Sequence, residues 1–486
     1  MSEPSPERRY HPPARIAVDD LVRATGGRVV RAALGEWSLC TDTRELSDGA
    51  VFVALRGEVH DGHRFVAQAL GSGRVGALVD EQSLADGTIP AAALDAAEGP
   101  VIAVPDTLVA IGDAAQAVLR RHAPRVAAVT GSVGKTTTRA MLANILRQAG
   151  PGLESQGNFN NRIGVPLTIL RLRPEHTWAV LEMGMSEPGE IAELARIAEP
   201  TVRVITEVTA AHLEFFDGVE QIADAKGEMF RDATEGDTLV WAADNPLSAR
   251  FPMPEDAEFV PFSMDPASDV PARVLSRKDL GHDGSEATLL LPAGSVHVRV
   301  PLPGAHQVHN ALAAAAAATA MGASLDDVAA GLASVEVPGR RMRLESIAGV
   351  TVLDDAYNAN PASVAAGLRT LAAWSIAAGG RRIAALGDML ELGPTGPELH
   401  AEVGRLAAEL GLDLLVGTGP LMKHAVDALG SGKGHTRAVA AADAAEAGRF
   451  LAGWLRSGDA LLLKGSRGMR MEGVLDELAS MTGDAD

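Results

Sequence analysis

A glycine-rich turn joins a short apolar run to a helix-forming segment within residues 126–148. The turn reads Thr130, Gly131, Ser132, Val133, Gly134, Lys135, Thr136, Thr137. Glycines let backbone N–H groups approach an anion, and the N-terminus of the following helix adds partial positive charge. This strand–loop–helix unit predicts a nucleotide-phosphate loop in which Lys135 contacts the outer phosphates and Thr136 binds Mg²⁺. An ordinary strand-to-helix turn is the alternative, because the standard pattern has glycine where Val129 stands.

Strand-like and helix-like segments alternate along most of the 486 residues, which predicts an α/β protein with parallel sheets. We expect three domains: a small N-terminal α/β domain at 1–104, a central phosphate-loop domain at 105–337, and a C-terminal Rossmann-like domain at 338–486. Residues 1–15 predict a disordered leader. Short strands at 258–300 predict antiparallel pairing, and the Ala-rich run at 311–323 predicts a buried helix.

The overall charge limits the partners. Lys and Arg number 43 against 63 Asp and Glu, a net charge of −20, which disfavours general binding to nucleic acid. With the single cysteine Cys40 the chain can form no internal disulfide, which fits a reducing compartment. No apolar run is long enough for a membrane span. We therefore expect a cytoplasmic protein. A monomer is expected as well.

Three further single residues and one adjacent pair carry groups that suit phosphate or metal chemistry. Glu182 ends a predicted strand, where carboxylates of parallel sheets face the ligand crevice. His212, Lys226 and the pair Asp354–Asp355 follow or lie between later strands. Taken singly, each has a plain structural interpretation: a solvated strand-end charge, a structural histidine, a surface lysine and an Asx turn.

Longer segments of the sequence resemble the Mur ligases, the ATP-dependent amide-forming enzymes of peptidoglycan precursor synthesis. The resemblance is carried by TGSVGKTTT (130–138), GNFNNRIGVP (157–166), LEMGMSEPGEI (181–191), AHLEFFDGVEQIADAKGEMF (211–230), PGAHQVHNALAA (303–314), PGRRMRLE (338–345), LDDAYNANPAS (353–363), LGDMLELG (386–393) and LLKGSRGMRME (462–472). The runs at 353–363 and 462–472 are most similar to the member that adds D-alanyl-D-alanine to UDP-N-acetylmuramoyl-tripeptide.

The resemblance implies a role for each matched residue. ATP would be bound by residues 130–137, with Asn310 at the adenine, Asp355 at the ribose and Arg340 at the γ-phosphate. Two Mg²⁺ ions would be held by Thr136, Glu182, His212 and Lys226, the last as a carbamate. The UDP-muramyl-tripeptide would contact Thr43, Arg44, Asn158, Asn160 and Asn161. Tyr357, Asn358 and Asn360 would place the incoming dipeptide. Lys135, Lys226, His212 and Arg340 would be the catalytic residues.

Two positions depart from the family's usual residues: Gln307 and Glu207 stand where asparagine is usual. The first would loosen adenine recognition, and the second would add a carboxylate near the metal site. The implied reaction transfers the γ-phosphate to a carboxylate, and the dipeptide amine then attacks the acyl phosphate. Two alternatives stay open: a sister or folylpolyglutamate-type ligase, and a nucleotide-dependent switch without ligation.

Overall fold

The structure, a computed structural model, describes residues 14–57, 60–210, 213–430 and 435–480. The chain divides into two compact units. The first unit comprises Met1–Ala128, Gly150–Met185 and Glu190–Thr201, and the second comprises Val129–Ala149, Ser186–Gly189 and Val202–Asp486.

The N-terminal part of the first unit folds around a mixed six-stranded sheet in the order β1-β3-β4-β5-β6-β2. Its elements are β1 (Arg15–Ala17), α1 (Val18–Thr25), β2 (Arg28–Arg31), β3 (Glu36–Cys40), β4 (Ala50–Val53), α2 (Val66–Leu70), β5 (Gly76–Asp80), α3 (Glu81–Ala85), α4 (Ala91–Ala96), β6 (Val101–Val104) and α5 (Thr107–His122). Strands β3 to β6 run parallel, whereas β1 and β2 pair antiparallel at the edges. The predicted leader is wrong at its end, because Arg15 opens β1 and Ala14 is buried; residues 1–13 lie outside the described part.

The middle of the chain supplies elements to both units. They are β7 (Arg125–Thr130), α6 (Lys135–Ala149), β8 (Gly152–Glu154), α7 (Gly164–Ile169), β9 (Trp178–Glu182), α8 (Glu190–Ala198), β10 (Val202–Ile205), α9 (Val219–Arg231), β11 (Thr238–Ala242), β12 (Glu258–Ser263), β13 (Ala272–Asp279), β14 (Ser285–Leu291), β15 (Gly294–Val300), α10 (Ala305–Ala320) and α11 (Leu325–Ala333). In the first unit β8 pairs parallel with β9. In the second unit β10 to β13 run parallel, and β13, β14 and β15 form an antiparallel meander.

The structure tests two predictions for the middle of the chain. The antiparallel prediction for residues 258–300 is wrong for β12, which pairs parallel with β11 and β13. The prediction of a buried Ala-rich helix is confirmed, because α10 buries Val308 and the run Ala311–Ala318. Small side chains let this helix lie close to the strands and to α6.

The C-terminal part of the second unit is a second parallel sheet, in the order β16-β17-β21-β18-β19-β20 with β16 as an antiparallel edge. Its elements are β16 (Arg343–Ile347), β17 (Val350–Asp355), α12 (Pro361–Ala373), β18 (Arg382–Gly387), α13 (Gly396–Glu409), β19 (Leu414–Thr418), α14 (Met422–Gly430), β20 (Arg437–Ala441), α15 (Ala444–Ala452), β21 (Ala460–Lys464) and α16 (Gly473–Ser480). Successive residues of β17 and β21 enter separate apolar cores on the two faces. The carboxyl ends of β17, β21 and β18 therefore meet at one edge.

The α/β class with parallel sheets is thus confirmed. Within the described ranges, no helix has the length and apolar character needed to cross a membrane.

Candidate active site

The loop between β7 and α6 is shaped by two glycines. Gly131 and Gly134 have φ values of +147° and +86°, which side chains rarely adopt. A Cβ at Gly131 would overlap the Thr206 hydroxyl, and one at Gly134 would overlap the Asn310 amide. Lys135 Nζ donates to the Gly131 carbonyl at 2.8 Å, so the ammonium folds back over the loop.

The rest of the predicted phosphate-binding run lies around these glycines. Thr130 ends β7, Ser132 and Val133 lie between the glycines, and Thr136 and Thr137 are buried in the first turn of α6. A strand end, a glycine loop and a helix N-terminus therefore meet as the sequence predicts, in the arrangement that favours an anion. The binding roles of the individual residues stay predictions.

Residues 206–209, which follow β10, fasten this loop. Thr206 is fully buried; its backbone N–H donates to the Thr130 carbonyl at 2.9 Å and its hydroxyl to the Val133 carbonyl at 2.6 Å. The Ser132 N–H donates to the Glu207 carbonyl at 2.6 Å, and the Ser132 hydroxyl donates to the Thr209 carbonyl at 2.9 Å. Residues 130–133 are therefore held by hydrogen bonds to residues 206–209, which lie much further along the chain. No local pattern in residues 206–209 indicates this contact.

Lys226 on α9 is not a surface residue. Its side chain is 2% exposed. Burial, and then the positive charge of Lys135, lower the pKa of Lys226 well below its usual value. More of its amine is therefore neutral near pH 7 than for an ordinary lysine. The structure corrects the plain interpretation of Lys226 and leaves its predicted role as a ligand for test.

The start of α10 carries a chain of amide and imidazole contacts beside the phosphate loop. Asn310 Nδ2 donates to Gln307 Oε1 at 3.1 Å, and Gln307 Nε2 lies 3.0 Å from His306 Nε2. Gln307 thus orients Asn310, the residue predicted to contact adenine. Burial, then the nearby charge of Lys464 and that of His309, lower the pKa of His306 to about 4.

The carboxylate of Glu207 is held by its neighbours. It accepts from Asn245 Nδ2, and one oxygen lies 3.5 Å from His309 Nε2. The carboxylate predicted to lie near the metal site therefore contacts α10 and the turn after β11. Asn245 and His309 were not predicted from the sequence.

Glu182 and Asn160 lie together in the first unit. Glu182 ends β9, is 3% exposed, and accepts from Asn160 Nδ2 at 3.0 Å through Oε1. Its N–H donates to the Ser155 hydroxyl at 3.0 Å. The predicted strand-end position is confirmed, so Glu182 is a buried carboxylate and not a solvated charge. Thr136 and Lys226, predicted to share its metal site, belong to the second unit.

The other substrate-side residues of the first unit lie on exposed backbone. Asn158 and Asn161 are exposed, and Asn161 Oδ1 accepts from the N–H groups of Ile163 and Gly164 at the start of α7. Thr43 and Arg44 lie in a 3₁₀ turn after β3. Hydrogen bonds from Arg44 lower the pKa of Asp42 to about 2.

The loop after β17 is built on ion pairs. Arg340 Nη1 lies 2.7 Å from the Asp354 carboxylate, which is fully buried. The carboxylate of Asp355 pairs with Lys464 Nζ at the end of β21, and its Oδ1 accepts from the Met342 N–H at 3.3 Å. Asp354 and Asp355 therefore do more than form an Asx turn. Lys464 was not predicted, although its position at a strand end was a visible signal.

The residues predicted to place the dipeptide follow in the same loop. The Arg341 guanidinium stacks on the Tyr357 ring, 3.6 Å from its centroid. Asn358 is exposed, and its carbonyl accepts from Lys464 Nζ at 2.9 Å. Asn360 caps α12, since Asn360 Oδ1 accepts from the Ser363 N–H at 2.9 Å.

The predicted metal ligands include oxygen donors. Hydroxyl and carboxylate oxygens, as in Thr136 and Glu182, are ligands that Mg²⁺ prefers. His212 lies outside the described residues. Within those that are described, no three His, Cys, Asp or Glu side chains cluster so as to hold a metal ion.

Comparisons with known proteins match the chain along most of its length. Residues 129–318 match the Mur ligase middle domain, and residues 339–467 match the Mur ligase, glutamate ligase domain. The chain is 38% identical over 414 residues to UDP-N-acetylmuramoyl-tripeptide–D-alanyl-D-alanine ligase from Escherichia coli K12, covering 85% of this chain and 87% of the relative.

Solved structures of the same kind of ligase are also similar to this chain. The chain is similar to MurF from Acinetobacter baumannii, with a TM-score of 0.86 and 31% identity over 96% of this chain and 100% of that one. It is also similar to MurF ligase from Thermotoga maritima in complex with ADP, with a TM-score of 0.80 and 26% identity over 93% of this chain and 99% of that one. These matches confirm the predicted three-domain α/β architecture.

Proposed function

Because this chain belongs to the Mur ligase family, we propose that it joins D-alanyl-D-alanine to UDP-N-acetylmuramoyl-tripeptide, with ATP converted to ADP and phosphate. The observation that carries the proposal is the glycine loop at 131–134, held by residues 206–209 with Lys135 folded over it. The proposed substrates are those in the name of the 38% identical relative.

The reaction must activate a carboxylate, because carboxylates are poor electrophiles toward amines at neutral pH. Transfer of the γ-phosphate to the tripeptide carboxylate gives an acyl phosphate. The dipeptide amine then attacks the acyl carbon, phosphate leaves, and the amide forms as the amine loses its proton. Lys135 balances negative charge that develops on the transferred phosphoryl group. Thr206 and the glycines keep the backbone N–H groups of the loop in place for the same purpose.

We assign the remaining nucleotide contacts to the second unit. Asn310, oriented by Gln307, would read the adenine, and Asp355 would bind the ribose hydroxyls. Arg340 would reach the γ-phosphate, although its guanidinium pairs with Asp354 in this structure. On the acceptor side, Thr43, Arg44, Asn158, Asn160 and Asn161 would hold the UDP-muramyl-tripeptide.

Tyr357, Asn358 and Asn360 would hold the dipeptide. The domain assignments 1–104, 105–337 and 338–486 stay predictions. The predicted cytoplasmic location and monomeric state stay predictions.

Mg²⁺ would be held by Thr136, Glu182, His212 and a carbamate on Lys226, with two ions in the site. When bound, Mg²⁺ neutralises phosphate oxygens and so assists phosphoryl transfer. In this chain the Thr136 hydroxyl is fixed in the first turn of α6, and the Glu182 carboxylate is oriented by Asn160.

The burial of Lys226 supports a carbamate. A carbamate forms when a neutral amine attacks carbon dioxide and loses one proton. The lowered pKa of Lys226 makes the neutral amine available. The product is an anion, and the ammonium of Lys135, whose charge now disfavours a second cation there, would then stabilise it. A carbamate also extends an oxygen ligand further than any coded carboxylate.

Substitution of Lys226 tests this assignment. Lys226→Arg keeps the charge but cannot be carboxylated, so the rate should fall at least about a hundredfold. Lys226→Ala should be equally slow, and acetate or formate should raise its rate while chloride at matched ionic strength should not. Lys423→Arg, on the exposed face of α14, is the matched control and should keep the wild-type rate. A wild-type rate for Lys226→Arg would eliminate the carbamate.

Product analysis tests the substrate assignment. Wild-type enzyme is supplied with ATP, UDP-muramyl-tripeptide and an equimolar mixture of D-alanyl-D-alanine, D-glutamate and a diamino acid, and products are identified by mass. The dipeptide adduct should dominate. Addition of a single amino acid would instead indicate a sister ligase, and nucleotide binding without any adduct would indicate a switch.

A further inference from the structure

Lys464 is a buried cation outside the predicted site. It ends β21, its side chain is 3% exposed, and its register partner on β17 is Asp355. A buried ammonium is stable in a fold only when its donors are satisfied. Its Nζ donates to Asp355 Oδ2, to the Asn358 carbonyl at 2.9 Å, and to the Asp355 carbonyl at 3.5 Å. Three acceptors therefore use the three donors of one ammonium.

These acceptors belong to positions with different expected partners. Asp355 is the proposed ribose contact, and Asn358 is a proposed dipeptide contact. The Lys464 charge also reaches the first turn of α10, where it contributes after burial to the low pKa of His306. One side chain thus contacts or influences both the nucleotide side and the dipeptide side of the second unit.

We propose that Lys464 is a positioning residue that sets the Asp355 carboxylate and the Asn358 backbone together, so that binding of ATP and of the dipeptide both depend on it. The proposal rests on the function proposed above. Lys464 touches neither substrate in this account. It fixes Asp355 Oδ2 while the Met342 N–H fixes Oδ1, and it fixes the backbone from which the exposed Asn358 side chain projects.

Ser466, two residues further on, provides a contrast. Its hydroxyl accepts from the Leu390 N–H at 2.9 Å and donates to the Ala359 carbonyl at 3.4 Å, and its N–H donates to the Asp388 carbonyl at 3.1 Å. These bonds join the loops after β17, β18 and β21 on the dipeptide side. Removal of the Ser466 hydroxyl should therefore affect the dipeptide and spare ATP.

The test measures KM for ATP, D-alanyl-D-alanine and UDP-muramyl-tripeptide by phosphate release, one substrate varied at a time. Lys464→Met should raise KM for both ATP and the dipeptide by about tenfold and leave the tripeptide KM within about twofold. Ser466→Ala should raise the dipeptide KM alone. Lys423→Met, a lysine exposed on α14, is the control for loss of a charge.

Other outcomes overturn the proposal. A rise in only one KM would confine Lys464 to that side, and equal rises in all three would indicate a general structural role. If Lys464→Met does not fold, Lys464→Arg and Asp355→Asn provide the same test. Lys464→Arg should raise the ATP and dipeptide KM values less than Lys464→Met does. In the double variant with Asp355→Asn, Lys464→Arg should raise the dipeptide KM further but should add little to the rise in the ATP KM. A wild-type enzyme without dipeptide-dependent phosphate release would refute the proposed function instead.

Discussion

Two loops of the second unit join a strand to a helix, and they are stabilised by different interactions. The loop after β7 depends on backbone: two glycines with positive φ, of which Gly131 approaches Thr206 and Glu207 and Gly134 approaches Asn310. The loop after β17 depends on side chains: the pairs Arg340–Asp354 and Lys464–Asp355, and the cap from Asn360. Residues 355–360, all of which are described, have no positive φ.

The difference fits the ligands proposed for each loop: phosphate after β7, and ribose and dipeptide after β17. Phosphate oxygens are bound well by several N–H groups at a helix N-terminus, and side chains would obstruct them. A dipeptide and a ribose need fewer, directional contacts, which charged and amide side chains supply. A local motif is therefore visible in the first loop, whereas the second loop depends on partners distant in sequence.

Lys135→Ala should have the largest effect, because it removes the cation of the backbone-built loop. We expect phosphate release to fall by about a thousandfold or more, the scale of losing an electrostatic contact to the reacting group. The melting temperature should change little, since Lys135 lies at a partly exposed helix start. A variant that keeps most of its activity would show that this loop is not the phosphate site.

Gly131→Ala should be the next largest. The added Cβ would overlap the Thr206 hydroxyl and would need an unfavourable backbone. We expect the KM for ATP to rise by about a hundredfold, or the fold to lose about 2–4 kcal/mol. Gly236→Ala is the matched control, because Gly236 has φ +89° but open space around its Cα. Equal effects for both would mean that backbone strain, and not the packing against Thr206, explains the requirement for glycine.

Arg340→Ala tests the side-chain-built loop. The rate should fall by about a hundredfold while the KM for UDP-muramyl-tripeptide stays near its wild-type value. The free energy of unfolding should also fall by about 1–3 kcal/mol, because the Asp354 carboxylate would stay buried after losing its Arg340 partner. Kinetics and thermal unfolding of one preparation measure both. An equal loss of muramyl-peptide affinity would place Arg340 at that substrate instead.

The sequence predicts the local parts of this molecule well. The strand–loop–helix unit at 126–148 and the buried Ala-rich helix lie where the sequence predicts them. The edge strands β1 and β2 were missed, because an edge strand of three or four half-exposed residues is fixed by its partner and not by its own pattern.

The candidate site likewise has residues that local sequence predicts and residues that depend on distant partners. Glycines, Lys135 and the strand-end Glu182 are recognisable from nearby residues. Lys464 and Asp355 are 109 residues apart, and their pairing appears only once β17 and β21 lie side by side. The burial of Lys226 was hidden for a similar reason, since burial depends on what packs against a helix and not on the helix alone.

The smallest expected effect concerns His306, whose pKa is lowered first by burial and then by the Lys464 charge. Its pKa of about 4 in the fold lies below the usual value of 6.5. The neutral form therefore stabilises the fold fully above about pH 6.5, and this contribution is lost as the pH falls towards 4. It amounts to at most about 3 kcal/mol. Denaturant unfolding between pH 7 and pH 4 should show a shallower loss for His306→Gln than for wild type; parallel curves would refute the shift.

Phosphate release under systematic omission shows directly whether the chain is a ligase. The full mixture contains ATP, Mg²⁺, UDP-muramyl-tripeptide and D-alanyl-D-alanine, and each component is left out in turn. A ligase with an acyl phosphate intermediate should release phosphate rapidly only in the full mixture, with one ligated peptide formed per phosphate. Phosphate released at the same rate without the tripeptide or the dipeptide would contradict the account.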